Sequence, residues 1–135
     1  MARWHAVLTG VLVAVMMEGI IFLVAGRVSI IGGLVGSGVA GHVASDDPTD
    51  GAWHGLLTAL SWGTVLIPAT VLLVLTRGIG LPFPFEFLLP VLRTPGDLTT
   101  ALLLTVTLPN ILAGAVGSVA RVQTGPPAWV PEEWS

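Results

Sequence analysis

The chain has 135 residues, of which 53% are hydrophobic and only 10% are charged, and its formal net charge is −3. The acidic balance argues against a nucleic-acid partner, because binding phosphates needs clustered positive charge, and the absence of cysteine excludes disulfides and thiolate metal sites. An ordinary soluble domain carries about 25% charged residues. The composition therefore predicts a protein of the lipid bilayer.

The first apolar run, from His5 to Ala25, is long enough to cross a membrane. As a helix it spans roughly 30 Å, the thickness of one hydrocarbon core. A run near the amino terminus with Arg3 before it is also typical of a signal peptide. The length of the run, the presence of Glu18 and the lack of a small-x-small cleavage site favour a retained membrane helix.

Three further helices are predicted downstream. A turn at Gly26–Arg27 leads into a short second helix, a polar loop over 46–51 precedes the third, and Asp97 is a suitable N-cap for the fourth. The segment 78–96 is apolar but contains four prolines. Irregular backbone is not tolerated in contact with lipid, so this Pro/Phe-rich segment is expected in the membrane interface. The predicted helices cover residues 5–25, 28–44, 53–76 and 98–120.

These elements predict an all-α fold, a polytopic protein of the cell membrane built as a bundle of four transmembrane helices. Residues 1–120 form a single domain and residues 121–135 a polar tail. Helices that alternate across a bilayer place both termini and the aspartate-rich loop on one side. Four tryptophans then fall near the membrane boundaries, as an aromatic belt requires; they are Trp4, Trp53, Trp129 and Trp134.

Small residues recur every four positions in the second and fourth helices, in the strings GGLVGS and AGAVGS. Helices in lipid gain little from hydrophobic burial against one another, and they associate through the close packing that small residues allow. We therefore expect backbone-to-backbone contact at these positions. The predicted helix-packing residues are Gly32, Gly33, Gly36, Ser37, Gly41, Ala113, Gly114, Gly117 and Ser118.

Glu18 lies near the middle of the first helix. A lone acidic group there costs about 2.5–3.5 kcal/mol on insertion scales, so it should face the bundle. One interpretation is an interhelical hydrogen bond that fixes packing. This interpretation is favoured because a single acidic residue without a buried basic partner is weak evidence for a transport pathway. The alternative is a proton or ion site formed by Glu18 with Ser37, Thr64 and Thr107 at similar depth and with Asn110 one turn deeper; its residues are Glu18, Ser37, Thr64, Thr107 and Asn110.

The predicted topology also places three histidines and three aspartates near one membrane face. Imidazole and carboxylate together can bind transition metals, but the spacing of His5, His42 and His54 matches no metal motif, so no metal site is predicted. The sequence contains no Gly-rich phosphate loop with lysine, no H-E-x-x-H and no G-x-S-x-G. We therefore predict no enzymatic activity and no cofactor.

The strings IIGGLVGSGVAGHV and DGAWHGLL, separated by an acid-rich turn, resemble a family of small four-helix membrane proteins of unknown function from halophilic archaea. The later string NILAGAVGSVA is similar to the Gly-rich closing helix of that family. The resemblance implies the four-helix membrane fold and brings no established activity. The residues that carry it are Gly32, Gly33, Gly41, Asp50, Gly51, Ala52 and Gly55.

Two functional hypotheses follow. The first is a structural or accessory module, in a homo-oligomer or beside a larger membrane partner, that assembles through its glycine faces. The alternative is a small transporter or channel-like protein whose pathway passes Glu18. If the second helix packs its glycines wholly within one protomer, the case for oligomerisation through them weakens.

Overall fold

The computed structural model describes residues 2–78 and 95–134. It contains four α-helices and a short 3-10 helix, and no described residue lies in a β-strand, which confirms the all-α prediction with four helices. The predicted interfacial segment lies, for residues 79–94, outside the described residues. The helices are α1 (Trp4–Ala25), α2 (Ile31–Ala44), α3 (Pro48–Arg77) and α4 (Pro95–Thr124), and the 3-10 helix is Glu132–Trp134.

The four helices run up, down, up and down. Gly10 of α1 contacts Gly36 of α2, and α1 Glu18 bonds to Ser29 just before α2, so α1 and α2 are antiparallel. Ser37 bonds to Asn110 and Val43 to Arg121, so α2 and α4 are parallel. The amino ends of α1 and α3 and the carboxyl ends of α2 and α4 therefore share one end of the bundle, here called the terminal end.

The second helix is shorter than expected. It begins at Ile31, three residues later than predicted, and its 14 residues rise only about 21 Å against a hydrocarbon core of about 30 Å. Gly26 adopts a left-handed conformation with φ of 67° and its N–H bonds to Phe22 O, which ends α1. The backbone from Val28 to Ile30 then continues outside any helix before α2 starts.

The third helix begins earlier than predicted, at Pro48 instead of Trp53. The Asp/Pro/Gly sequence was interpreted as a loop, but Asp47 accepts a hydrogen bond from the Thr49 N–H at 2.9 Å and Pro48 occupies the first helical position. Both are favourable at a helix start, since proline has no N–H to leave unpaired there. The sequence Asp-Pro therefore starts a helix here.

The fourth helix and the tail also differ from the prediction. α4 starts at Pro95, before the expected cap at Asp97, and continues to Thr124. Beyond it, the predicted polar tail returns to the bundle: Val130 is buried and packs with Ala6, Val43 and Ala44. The tail therefore covers part of the terminal end.

Within the described residues, α1 is the one helix long and apolar enough to cross a membrane, with a mean hydropathy of 2.5, and α2 is a shorter apolar helix. The surface of the bundle is rich in large apolar side chains, whereas its interior contains many small and polar ones beside a few large apolar residues such as Trp62 and Leu66. Among the buried polar residues are Glu18, Ser29, Ser37, His54, Thr58, Asn110, Ser118 and Arg121.

Candidate functional site

The candidate site is built around α2, which packs against each of the other three helices. Its buried side chains are small, and Val43 is the largest of them, so the neighbouring backbones approach closely. A Cβ added at Gly10 of α1 would lie 2.6 Å from the Gly36 carbonyl oxygen. A Cβ at Gly41 would overlap the backbone of Gly114, and one at Gly117 the backbone of Gly38. These positions accommodate only glycine.

The remaining packing residues are also engaged inside the chain. Gly32 lies against Ala14 and Glu18 of α1, and Gly33 against the Trp62 ring of α3. The Ser118 hydroxyl donates to Gly41 O at 3.0 Å, and the Ala113 carbonyl oxygen lies 3.6 Å from a Cβ added at Gly38. Because the α2 glycines contact helices of the same chain, the case for oligomerisation through them is weaker.

A buried carboxylate holds the amino end of α2. Glu18, only 6% exposed, accepts the Ser29 N–H with Oε1 and the Ser29 hydroxyl with Oε2, the latter at 3.2 Å. The Ser29 hydroxyl oxygen in turn accepts the Ile31 N–H at 3.2 Å. An acidic group near the positive end of a helix dipole is stabilising. We call Glu18 and Ser29 the amino clamp.

The structure separates the five residues that the sequence grouped around Glu18. Ser37 Oγ lies 2.7 Å from Asn110 Oδ1, and this pair joins α2 to α4. The Thr64 and Thr107 hydroxyls donate to carbonyls of their own helices, those of Leu60 and Leu103. The sequence predicts Ser37 and Asn110 around Glu18 and not bonded to each other, because depth along a helix does not give the direction of a side chain around the helix axis. The grouping is therefore corrected to two separate contacts.

Two arginines hold the carboxyl end of α2. Arg121 of α4, 5% exposed, donates from one guanidinium nitrogen to Val43 O at 2.7 Å and to His42 O at 3.3 Å. Its Nε pairs with Asp46 Oδ1 at 2.8 Å. The Arg3 guanidinium donates to Ala44 O. The last carbonyls of a helix have no intrahelical donor, so these contacts, here called the carboxyl clamp, satisfy them.

Only one member of the two clamps, Glu18, was predicted from the sequence. Ser29, Arg3 and Arg121 were not among the predicted site residues, because each acts on a partner far along the chain or across a turn. A usable signal was present for Arg121, since it follows a helix of small residues at the depth where α2 ends. An arginine near the carboxyl end of a helix complements the dipole.

Replacing Arg121 with methionine should destabilise the bundle. The change keeps an apolar stem but leaves the His42 and Val43 carbonyls without their donor, and an orphaned buried group costs about 1–3 kcal/mol. We expect that decrease in the free energy of unfolding in detergent, measured by circular dichroism. Arg77→Met is the matched control, because Arg77 is exposed at the other end of the bundle. Equal stability of the two variants would refute the carboxyl clamp.

The histidines take part in separate contacts at the terminal end. His54 is fully buried; its Nε2 accepts the Arg3 N–H at 2.8 Å, and its Nδ1 lies 2.8 Å from Asp50 O. His42 Nδ1 lies 3.2 Å from Gly117 O. Across residues 2–78 and 95–134, no three histidine, aspartate or glutamate side chains come together as a metal-binding group.

The fold and these contacts define the class: an all-α bundle with a short glycine-rich helix clamped at both ends. Residues 4–121 match a family of unknown function, DUF5518. The chain belongs to this family, and the match extends from the first residue of α1 to the buried Arg121. No curated protein and no solved structure matches the chain significantly. The membrane location and the halophilic source implied by the resemblance stay predictions.

Proposed function

We propose that this chain is a multi-pass integral membrane protein that acts as a structural or accessory module, without catalytic activity. In this proposal α1, α3 and α4 cross the bilayer. The segment from Gly26 to Ala44 makes the remaining crossing, partly as irregular backbone and partly as α2. The arrangement of the amino clamp is the observation that carries the proposal.

The amino clamp fits a membrane because lipid cannot satisfy irregular backbone. Non-helical backbone at membrane depth is tolerated only where protein provides its hydrogen-bond partners. Val28 to Ile30 is such a stretch, and Glu18 accepts the Ser29 N–H within it. A carboxylate in an apolar helix would be costly if it faced lipid. The backbone N–H that it accepts gives Glu18 a structural reason to lie in this helix.

The outer surface of the bundle also supports a lipid environment. Soluble monomers rarely expose contiguous apolar patches larger than a few hundred Å², yet α1 and α4 present rows of large apolar side chains. On α1 the exposed fractions of these side chains run from 44% at Val15 to 84% at Leu23. Other exposed members of these rows are Leu8, Leu12, Met16, Leu108, Leu112 and Val116.

The tryptophans are arranged as expected at a membrane boundary. Trp4, Trp53 and Trp129 are 60%, 50% and 59% exposed, respectively, and the bundle topology places all three at the terminal end. Tryptophan is enriched at the level of lipid headgroups, where its ring is apolar and its N–H polar. Trp62, at 5% exposure, lies inside the bundle.

A packing role for Glu18 is better supported than an ion pathway. Both of its carboxylate oxygens accept hydrogen bonds from Ser29, and the other buried polar residues of the predicted site bond elsewhere. Since the α2 glycines are used within the chain, a homo-oligomer or larger membrane partner would contact the exposed apolar side chains of the outer surface, which lie on all four helices.

The proposal can be tested by single-cysteine labelling, since the native chain has no cysteine. Thr49→Cys and Thr124→Cys lie at exposed positions of the terminal end, and Thr76→Cys and Arg77→Cys at exposed positions of the other end. We expect a membrane-impermeant maleimide to label one pair in sealed vesicles and the other pair only after permeabilisation. Labelling of all four from one side, or release of the protein by alkaline carbonate, would refute the proposal.

A further inference from the structure

A groove of about 190 Å³ runs between α1 and α3. Most of its wall is apolar, and Gly19 and Ala69 are its smallest lining residues. Three polar residues also line it, Glu18, Trp62 and Thr70. The remaining lining residues are Val15, Phe22, Val28, Val65, Leu66 and Leu73.

One of these polar residues, Thr70, has an unused hydrogen-bond donor. Thr70 is 9% exposed, and its hydroxyl has no hydrogen-bond partner in the described part of the chain. The indole N–H of Trp62 is also unpaired among the described residues, but that edge of the ring lies against Gly33 of α2. Thr64 and Thr76 of the same helix instead donate to carbonyls four residues earlier. Buried polar groups are nearly always paired, so the unpaired Thr70 hydroxyl indicates an absent partner.

We propose that this groove binds the hydroxyl end of a long-chain aliphatic or isoprenoid alcohol. The Thr70 hydroxyl donates to the oxygen of the alcohol, and the alcohol hydroxyl donates to the Glu18 carboxylate. A carboxylate offers about four acceptor positions, of which Ser29 occupies two. The hydrocarbon chain lies along the apolar wall. This inference rests on the proposed function, because the bilayer supplies such a molecule.

An alcohol fits these groups better than other lipid headgroups do. A ketone or ester oxygen accepts from Thr70 but has no hydrogen for the Glu18 carboxylate. A fatty acid would add a second negative charge beside it, and like charges at short range are unfavourable. A hydroxyl group both donates and accepts, as the pair of Glu18 and Thr70 requires.

Trp62 lines the groove and can report binding directly. The other four tryptophans are replaced with phenylalanine (Trp4, Trp53, Trp129 and Trp134), and the protein is kept in detergent micelles. The probes are 2-bromododecan-1-ol and 2-bromododecane, since bromine quenches indole fluorescence on contact. Two hydrogen bonds should favour the alcohol, so we expect half-maximal quenching at an about tenfold lower concentration than for the bromoalkane.

Thr70→Val removes the hydroxyl with little change in shape. It should reduce the preference for the alcohol to about twofold or less, as one of the two hydrogen bonds is lost, while quenching by 2-bromododecane stays the same and shows that the groove is intact. Thr64→Val, on the exposed side of the same helix, should keep the full preference. Equal quenching by both probes, a preference that survives in Thr70→Val, or no quenching by either probe would overturn the assignment. Because the assay needs no bilayer, its failure leaves the vesicle-labelling result unaffected.

Discussion

Gly41→Ala should disrupt the bundle, whereas Gly38→Ala, three residues earlier on the same helix, should be tolerated. A Cβ at Gly41 would overlap the Gly114 carbonyl, which belongs to the backbone of α4 and cannot rotate away. Overpacking of a close contact costs about 1–3 kcal/mol and occasionally more. We expect a loss of about 3 kcal/mol in the free energy of unfolding, measured by thermal or SDS denaturation in detergent with circular dichroism.

Gly38→Ala is the matched control for this experiment. A Cβ at Gly38 meets only the Ala113 carbonyl oxygen, at 3.6 Å, which is an ordinary van der Waals distance. Both variants add the same methyl group to the same helix, and both gain the same helix propensity. If the two unfold at the same denaturant concentration, α2 and α4 do not approach as described.

Glu18→Ala should also be strongly destabilising, because it leaves the Ser29 N–H without an acceptor in a buried position. Hydrogen bonds to charged groups contribute about 1.5–3 kcal/mol, and we expect a loss toward the upper end of that range. Glu18→Gln keeps an acceptor oxygen for the Ser29 N–H, and its amide can donate to the Ser29 hydroxyl. We therefore expect a loss of about 1 kcal/mol for the amide.

The comparison of alanine with glutamine separates hydrogen bonding from charge. Glu133→Ala, at an exposed position in the tail, is the control and should leave stability unchanged. If Glu18→Gln prevents folding while Glu18→Ala does not, the amino clamp is wrong, since the variant that keeps the acceptor would be the more damaged one. The measurement is the same detergent unfolding experiment used for the glycine variants.

Much of the architecture could be predicted because it depends on local sequence. Small residues at every fourth position indicated where α2 and α4 contact other helices, and four apolar segments gave the helix number. The start of α3 was missed because Asp47 and Pro48 are favourable both in a turn and at the first positions of a helix. In the structure the helix is accompanied by the packing of Gly51 against Ser118 and Gly114, a contact distant in sequence.

The polar contacts were harder to predict, since they depend on the rotation of each helix about its axis. Depth placed Glu18 near the middle of α1, but its partner is Ser29, in the short connection to α2, and not one of the four residues grouped with it. Arg121 acts on carbonyls 78 and 79 residues earlier in the chain. A contact at that separation leaves no local motif, and the one signal for it is the position of Arg121 after the small residues of α4, at the depth where α2 ends.

The two clamps impose an order on biosynthesis. Glu18 precedes α2 in the chain, so the amino end of α2 can be held as soon as that helix emerges from the ribosome. At the carboxyl end, Arg3 is already present to donate to Ala44 O, but the His42 and Val43 carbonyls depend on Arg121, which is made only after the whole of α3 and nearly all of α4. A nascent chain that stops before Arg121 therefore carries a partly anchored helix whose His42 and Val43 carbonyls still need a donor. Such truncated chains should be preferred substrates for quality-control proteases.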